Sequence, residues 1–157
     1  MGVELTPPLQ KTVLVVEDNY LNRRLLEVRL ELHGYGSLTT TSGAAAIDIA
    51  REQDPDLILM DIQLPDISGV EVIRRLKADE QTRSIPIIAV TAFVMPSERT
   101  NILASGCDAY VAKPFKGDEL VACVNRLLHP PPQRPWIEHH ALRCLARGLV
   151  RRLRAEI

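Results

Sequence analysis

Leu57-Ile58-Leu59-Met60-Asp61-Ile62-Gln63-Leu64-Pro65 runs from four aliphatic side chains straight into a carboxylate and then stops at a proline. A continuous apolar run of this length, rather than an alternating one, marks a strand covered on both faces, as in a parallel sheet. Similar runs occur at Val13–Val16, Ile87–Val90 and Ala109–Ala112. The Thr-rich segment Gly36–Thr40 suits an edge strand.

Between these runs the period becomes helical. Leu21, Leu25, Val28 and Leu32 form one helical face, and Gly34 is the stop, tolerating left-handed φ. Gly43–Gln53 is Ala-rich and ends at Asp54-Pro55, and Val70, Ile73 and Leu76 form a third face. A fourth helix begins after Met95, with Pro96 at its first position, and runs toward Gly106. Leu120, Val124, Leu127 and Leu128 mark a fifth. The alternation reads as (βα)₅, a doubly wound parallel sheet.

Composition agrees with a single such domain. Of 157 residues, 46% are hydrophobic and 25% charged, ordinary for a soluble globular chain. No apolar stretch approaches the ~20 residues of a membrane span, and the N-terminus has no signal-peptide pattern. Cys107, Cys123 and Cys144 are odd in number and outside any C-x-x-C spacing, which predicts reduced thiols in a cytoplasmic compartment and no metal site made from them. Residues 1–128 carry 13 Lys and Arg against 18 Asp and Glu, a net of −5, whereas residues 129–157 carry six Arg against two Glu, a net of +4. An acidic body argues against a nucleic-acid face on the main domain.

The organisation predicted is a lead-in over 1–11, the α/β domain over 12–128, a Pro-rich linker over 129–135 and a basic amphipathic helix over 136–157. That last helix would carry Leu142, Leu145, Leu149 and Leu153 on one stripe. It is too short for a DNA-binding output domain. Three readings are open for it: packing on the body or on a second copy, so that a homodimer forms through it; docking on a partner or membrane surface, with Trp136 at its start; and folding upon an acidic partner. The first and the partner reading are favoured.

Polar residues fall where a doubly wound sheet binds ligands, beyond the carboxyl ends of its strands. Glu17 and Asp18 follow the first run, Asp61 the third, Thr91 the fourth and Lys113 the fifth. Any one of them alone would be an ordinary solvated loop residue; together they define one cleft. Its three carboxylates repel one another unless a cation joins them, and a hard oxygen set without Cys or His favours Mg²⁺. A central carboxylate can act as nucleophile and form an aspartyl phosphate, with the lysine and the metal stabilising the transferring phosphoryl group. The four histidines, His33, His129, His139 and His140, lie at a helix end, in the linker and in the C-terminal segment, and read as solvated surface residues.

Val16-Glu17-Asp18-Asn19, Leu59 through Pro65 with Gly69, Val90-Thr91-Ala92 and Tyr110-Val111-Ala112-Lys113-Pro114-Phe115 resemble the response-regulator receiver family of two-component signalling over residues 12–128. The stretches 61–69, 89–93 and 106–110 are most similar to DivK-type single-domain regulators of cell division and polarity, while Glu17-Asp18-Asn19-x-x-Asn22-Arg23 also resembles receivers of hybrid histidine kinases.

The resemblance implies Asp61 as phosphoacceptor, with Mg²⁺ held by Asp18, Asp61, the Gln63 backbone carbonyl and, partly through water, Glu17. Lys113 would pair with the phosphoryl group, aimed by a cis bond to Pro114, and Thr91 would hydrogen-bond it. Thr91 and Tyr110 would form a switch pair, the ring turning inward as Thr91 moves to the phosphate. Ala92, Phe93 and Pro114 would tune the phosphoryl pocket, Phe93 together with Gln63 flanking the path of attacking water. The fold implied is α/β, with flavodoxin-like strand order 2-1-3-4-5.

The function expected is phosphoryl acceptance on Asp61 from a histidine kinase or histidine phosphotransfer protein, with output by contact with a downstream protein. The alternative is a phosphorelay intermediate that passes the phosphoryl group onward. Beyond self-catalysed acceptance and slow autodephosphorylation, no enzyme is expected. A haloacid-dehalogenase-type phosphatase would need a second Asp two residues after the nucleophile, where Gln63 stands. A flavodoxin-type module would need Gly, Ser or Thr after the first strand, where Glu17-Asp18-Asn19-Tyr20 stands.

Overall fold

Along the central strands, side chains alternate between two apolar layers. Val13, Val15, Leu57 and Leu59 face one way with Leu26, Leu30, Leu120 and Val124, while Leu14, Val16, Ile58 and Met60 face the other with Ala46, Ile47, Ile73 and Leu76. This double burial is why the runs are continuously apolar. A computed structural model describes residues 10–92, 95–115 and 118–130. The order is β1 (Thr12–Val16), α1 (Tyr20–Leu32), β2 (Gly36–Thr40), α2 (Gly43–Gln53), β3 (Leu57–Asp61), α3 (Gly69–Ala78), β4 (Ile87–Thr91), α4 (Pro96–Ala104), β5 (Ala109–Ala112) and α5 (Glu119–Leu128).

All strand pairs are parallel, in the order β2-β1-β3-β4-β5, as predicted. Helices α1 and α5 cover one face; α2, α3 and α4 cover the other. The register pairs Val16 with Met60 and Asp61 with Val90, so the ends of β1, β3 and β4 come out side by side. At the opposite edge, carboxylates serve as braces. Asp56 accepts from the Thr12 N–H at 2.8 Å and from Lys11, and Asp108 accepts from the Ile87 N–H and from Lys77, each at 2.8 Å.

The apolar face legible on α1 is not its buried one. Leu26 and Leu30 are the buried pair, while Leu21, Leu25, Val28 and Leu32 stand in solvent. At 100° per residue the two sets lie on nearly opposite sides of the helix. Periodicity favoured the larger set, but rotation was decided elsewhere. Asn19 caps the first turn through its side chain, and the Arg23 guanidinium donates to the Glu17 carbonyl at 2.9 Å, which turns Leu26 and Leu30 onto β1 and β3. Gly34 does end the hairpin from α1 to β2, with φ of 81°.

Phe93, the linker beyond Pro130 and the predicted C-terminal helix over 136–157 lie outside the described residues, as do Cys144, His139 and His140. Cys107 and Cys123 are half-buried free thiols packed against the two apolar layers, and burial pushes both up in pKa. His33 and His129 are exposed.

Candidate phosphoryl-acceptor site

Three strand ends and the β5–α5 connection meet in one acidic cleft. Asp61 is the last residue of β3, buried to 5% exposure, and Glu17, just after β1, is buried to 1%. Asp18 beside it is exposed at the rim. Lys113, one residue past β5, reaches back with its ammonium 2.5 Å from Glu17 Oε2 and 2.8 Å from Asp61 Oδ2. The Lys113 N–H donates to the Thr91 carbonyl at 2.7 Å, which ties the lysine to the end of β4. Its peptide bond to Pro114 is cis, as expected.

Burial by itself lowers the pKa of the Lys113 ammonium. The hydrogen bonds it donates to Asp61 and Glu17 outweigh that and raise it, so the group is a fixed cation in the neutral range. The Asp61 carboxylate is held at both oxygens: Oδ1 accepts from the Gln63 N–H at 2.9 Å, and Oδ2 accepts from Lys113. Glu17 is oriented further by the Asn19 N–H at 3.1 Å and the Asn22 side-chain amide at 3.4 Å.

One carboxylate oxygen from each of Glu17, Asp18 and Asp61 lies within 4.8 Å of the others. Among the described residues, one ammonium, that of Lys113, pairs with two of these three carboxylates, which leaves them short of positive charge. An all-oxygen donor set of this kind fits a hard divalent cation such as Mg²⁺, which takes few protein carboxylates and keeps water for the remaining positions.

The predicted residues converge. Thr91 ends β4, buried, and borders a cavity of about 280 Å³ that Ile62, Gln63, Val70 and Ile102 also line. Tyr110 on β5 is half-buried against the layer beneath α4. Ala92, Gln63 and Pro114 are exposed around the mouth.

Three residues escaped the sequence reading. Asp66, in the β3–α3 loop, reaches across to α2. Its carboxylate accepts from the Gly43 N–H at 3.0 Å, the Ala44 N–H at 2.9 Å and the Ser42 hydroxyl at 2.8 Å. The Ala44 and Gly43 backbone bonds, then Ser42, hold it well below the usual carboxylate range. It caps a helix more than twenty residues distant, so no local pattern announces it. Arg99 on α4 lies over the Tyr110 ring. Arg23 donates to the Glu17 backbone carbonyl, a role that its place in the Glu17–Arg23 stretch does not announce.

Gly69 belongs to the motif around Asp61 for a steric reason. A Cβ there would lie 2.1 Å from the Asp61 carbonyl oxygen, so only glycine lets α3 start this close to the acceptor strand.

The model of the response regulator receiver domain matches residues 13–125. The polar-differentiation response regulator DivK of Brucella ovis is 48% identical over 120 residues, covering 76% of this chain and 98% of the relative. Among solved structures, the receiver domain of sensor histidine kinase PA1611 from Pseudomonas aeruginosa is similar, with a TM-score of 0.71 and 38% identity over 76% of this chain and 98% of that one. That structure holds a magnesium ion in its active site cleft. A response regulator from Chloroflexus aurantiacus matches with a TM-score of 0.73 and 31% identity, over 76% of this chain and 98% of its own. With its strand order and acidic cleft alike accounted for, the chain belongs to the response regulator receiver family of two-component signalling.

Proposed function

We propose that Asp61 accepts a phosphoryl group from a phosphohistidine on a histidine kinase or histidine phosphotransfer protein, and that the phosphorylated chain acts by binding a downstream protein. The observation that carries this reading is the Asp61 carboxylate, buried at a strand end between Lys113 and the Glu17-Asp18 pair. An Asp61 carboxylate oxygen attacks phosphorus, the phosphorus–nitrogen bond breaks, and the imidazole nitrogen leaves with the electron pair. Gln63 N–H keeps the carboxylate oriented for in-line attack. Lys113, already within hydrogen-bond distance of Asp61, supplies a cation to the phosphoryl oxygens as their charge develops. Mg²⁺, held by Asp18, Asp61, the Gln63 carbonyl and Glu17, contributes further neutralisation of that charge when bound.

Thr91 and Tyr110 are the switch pair of this reading. The cavity beside Thr91 gives the ring a space to enter, and the groove between Tyr110, Glu119, Ala122 and Arg126 offers an output surface that responds to its position. The chain turns over no diffusible substrate in this account; it accepts its own phosphoryl group and loses it slowly to water, with Ala92, Phe93, Gln63 and Pro114 setting access. Two free thiols support a cytoplasmic setting. Among the described residues no helix is long and apolar enough to cross a membrane. Onward transfer in a phosphorelay is the second reading, favoured by the 38% identity to a receiver of a sensor histidine kinase.

Incubation with acetyl phosphate and Mg²⁺ tests the acceptor. The parent should gain one acid-stable, base-labile phosphoryl group and Asp61→Asn none. Equal incorporation by the variant, or none by the parent, overturns the reading.

A further inference from the structure

Residues 62–68 join β3 to α3 and carry Gln63, whose N–H donates to the Asp61 carboxylate at 2.9 Å and whose carbonyl belongs to the Mg²⁺ ligand set proposed above. The base of this connection is tied to the sheet. The Ile62 N–H donates to the Val90 carbonyl on β4, and the Gly69 N–H donates back to the Ile62 carbonyl, each at 3.0 Å. Gln63 lies just beyond that base and is exposed, so its place depends on how the rest of the connection is held.

The far end is held by α2. One Asp66 carboxylate oxygen accepts from the Gly43 N–H, and the other accepts from the Ala44 N–H and the Ser42 hydroxyl. Unpaired N–H groups and the helix dipole favour an anion at this first turn. Yet α2 already has its own cap, the Ser42 side chain, which accepts from the Ala45 N–H at 3.1 Å. A second acceptor at a capped helix therefore anchors the connection as much as it stabilises the helix. Packing closes the same joint. A Cβ on Gly43 would lie 2.9 Å from Ile67 Cγ1 and 3.2 Å from Leu64 Cδ1, so α2 starts pressed against the connection on both sides of Asp66. Helix α2 is itself fixed, with Ala46, Ile47 and Ala50 buried in the core.

We propose that Asp66 is a positioning residue for phosphoryl acceptance: it pins the β3–α3 connection to α2 and so keeps Gln63 in place, for Asp61 through its N–H and for Mg²⁺ through its carbonyl. The inference rests on the reading of Asp61 as the acceptor. Freedom that the connection loses on folding need not be lost again when the metal binds or when Asp61 attacks phosphorus. Without the anchor, Gln63 must be ordered at that moment, and metal affinity and rate fall together.

Variants of the full chain test this. Asp66→Ala removes the acceptor, Asp66→Asn retains one carbonyl oxygen, and Ser42→Ala removes one of the three bonds. Asp56→Ala, which removes a brace at the opposite edge of the sheet, controls for lost stability. The readouts are Mg²⁺ affinity by NMR titration, exchange of the Gln63 amide in metal-free buffer, the initial rate of phosphorylation by acetyl phosphate, and the urea midpoint. Asp66→Ala should lower affinity and rate by about three- to tenfold, at or below the low end of the ~10–100-fold for groups that orient a metal ligand directly. It should also speed Gln63 exchange. Asp66→Asn and Ser42→Ala should show smaller losses in the same direction, and they carry the test should Asp66→Ala not fold. Asp56→Ala should keep the parent's affinity and rate despite a lower urea midpoint. Parental affinity and rate in the Asp66 and Ser42 variants overturn the proposal. Equal losses in Asp56→Ala overturn it as well, because lost stability then accounts for them. A parent that takes up no phosphoryl group overturns the acceptor reading and the proposal with it, a failure seen in the parent rather than only in the variants.

Discussion

The Arg99 guanidinium on α4 lies over the ring of Tyr110 on β5, 5.2 Å from its centroid. A cation over an aromatic face at this distance is worth about 0.5–1 kcal/mol at a partly exposed site. In the proposed switch, this contact would hold the ring beside α4 and oppose its entry into the cavity beside Thr91.

Arg99→Ala should therefore shift the resting equilibrium toward the activated form by about two- to fivefold. The measurement is beryllofluoride affinity with NMR shifts at Tyr110. An unchanged affinity, together with an unchanged ring environment, would mean that Arg99 does not act as a positioning residue for the switch.

Asp18→Asn should abolish Mg²⁺ binding and phosphorylation while preserving the fold, because Asp18 is exposed at the rim and Asp61 with Glu17 is too small a donor set. Removing one of three mutually repelling carboxylates should hold or raise the melting temperature without metal. Titration monitored by NMR separates the two effects, and a variant that binds Mg²⁺ as the parent does contradicts the assignment.

Lys113→Met leaves Glu17 and Asp61 facing each other without their counter-ion. A loss of about 2–3 kcal/mol is expected in metal-free buffer, below the ~3–5 of a fully enclosed pair because the cleft opens to water. Mg²⁺ should restore more stability to the variant than to the parent. Since folding raises the Lys113 pKa, its contribution is full below the ordinary lysine value and fades only as pH rises through the higher folded one. The stability gap between parent and variant in urea should therefore be flat through neutrality and close at strongly alkaline pH.

Gly69→Ala drives a methyl group into the Asp61 carbonyl, a backbone atom that cannot step aside alone. Destabilisation on the order of 1–3 kcal/mol is expected, as for other overpacked positions, with slower phosphorylation because Asp61 itself is displaced. Urea unfolding and acetyl phosphate kinetics report the two losses. Wild-type values for both would show that α3 can start elsewhere.

Asp66→Asn should weaken the fold at neutral pH by replacing a charged helix cap with a neutral one. The folded pKa of Asp66 is depressed, so the parent's advantage is present above about pH 4 and shrinks progressively as pH falls below it. Parent and variant midpoints in urea, compared at neutral and acid pH, should converge on the acid side. A gap that stays constant with pH would assign the effect to packing instead.

Local regularities along the chain were enough to determine a (βα)₅ parallel sheet, whereas its strand order followed only from the resemblance to the receiver family. Four continuous apolar runs and a Thr-rich fifth are strands because doubly covered strands leave no polar face to alternate with, and Glu17, Asp18, Asp61, Thr91 and Lys113 could be assembled into one cleft because a parallel sheet brings all its carboxyl ends to the same edge. Tertiary structure alone decided the rotation of α1, whose larger apolar set faces water because Arg23 and the surface over β1 and β3 favour Leu26 and Leu30. It alone decided that Asp66 caps α2, that Arg99 meets Tyr110, and that Gly69 must lack a side chain beside Asp61. Each of these depends on the separation and angle between elements distant in sequence. A periodicity reports which residues share a face, but it carries no information about what that face will meet.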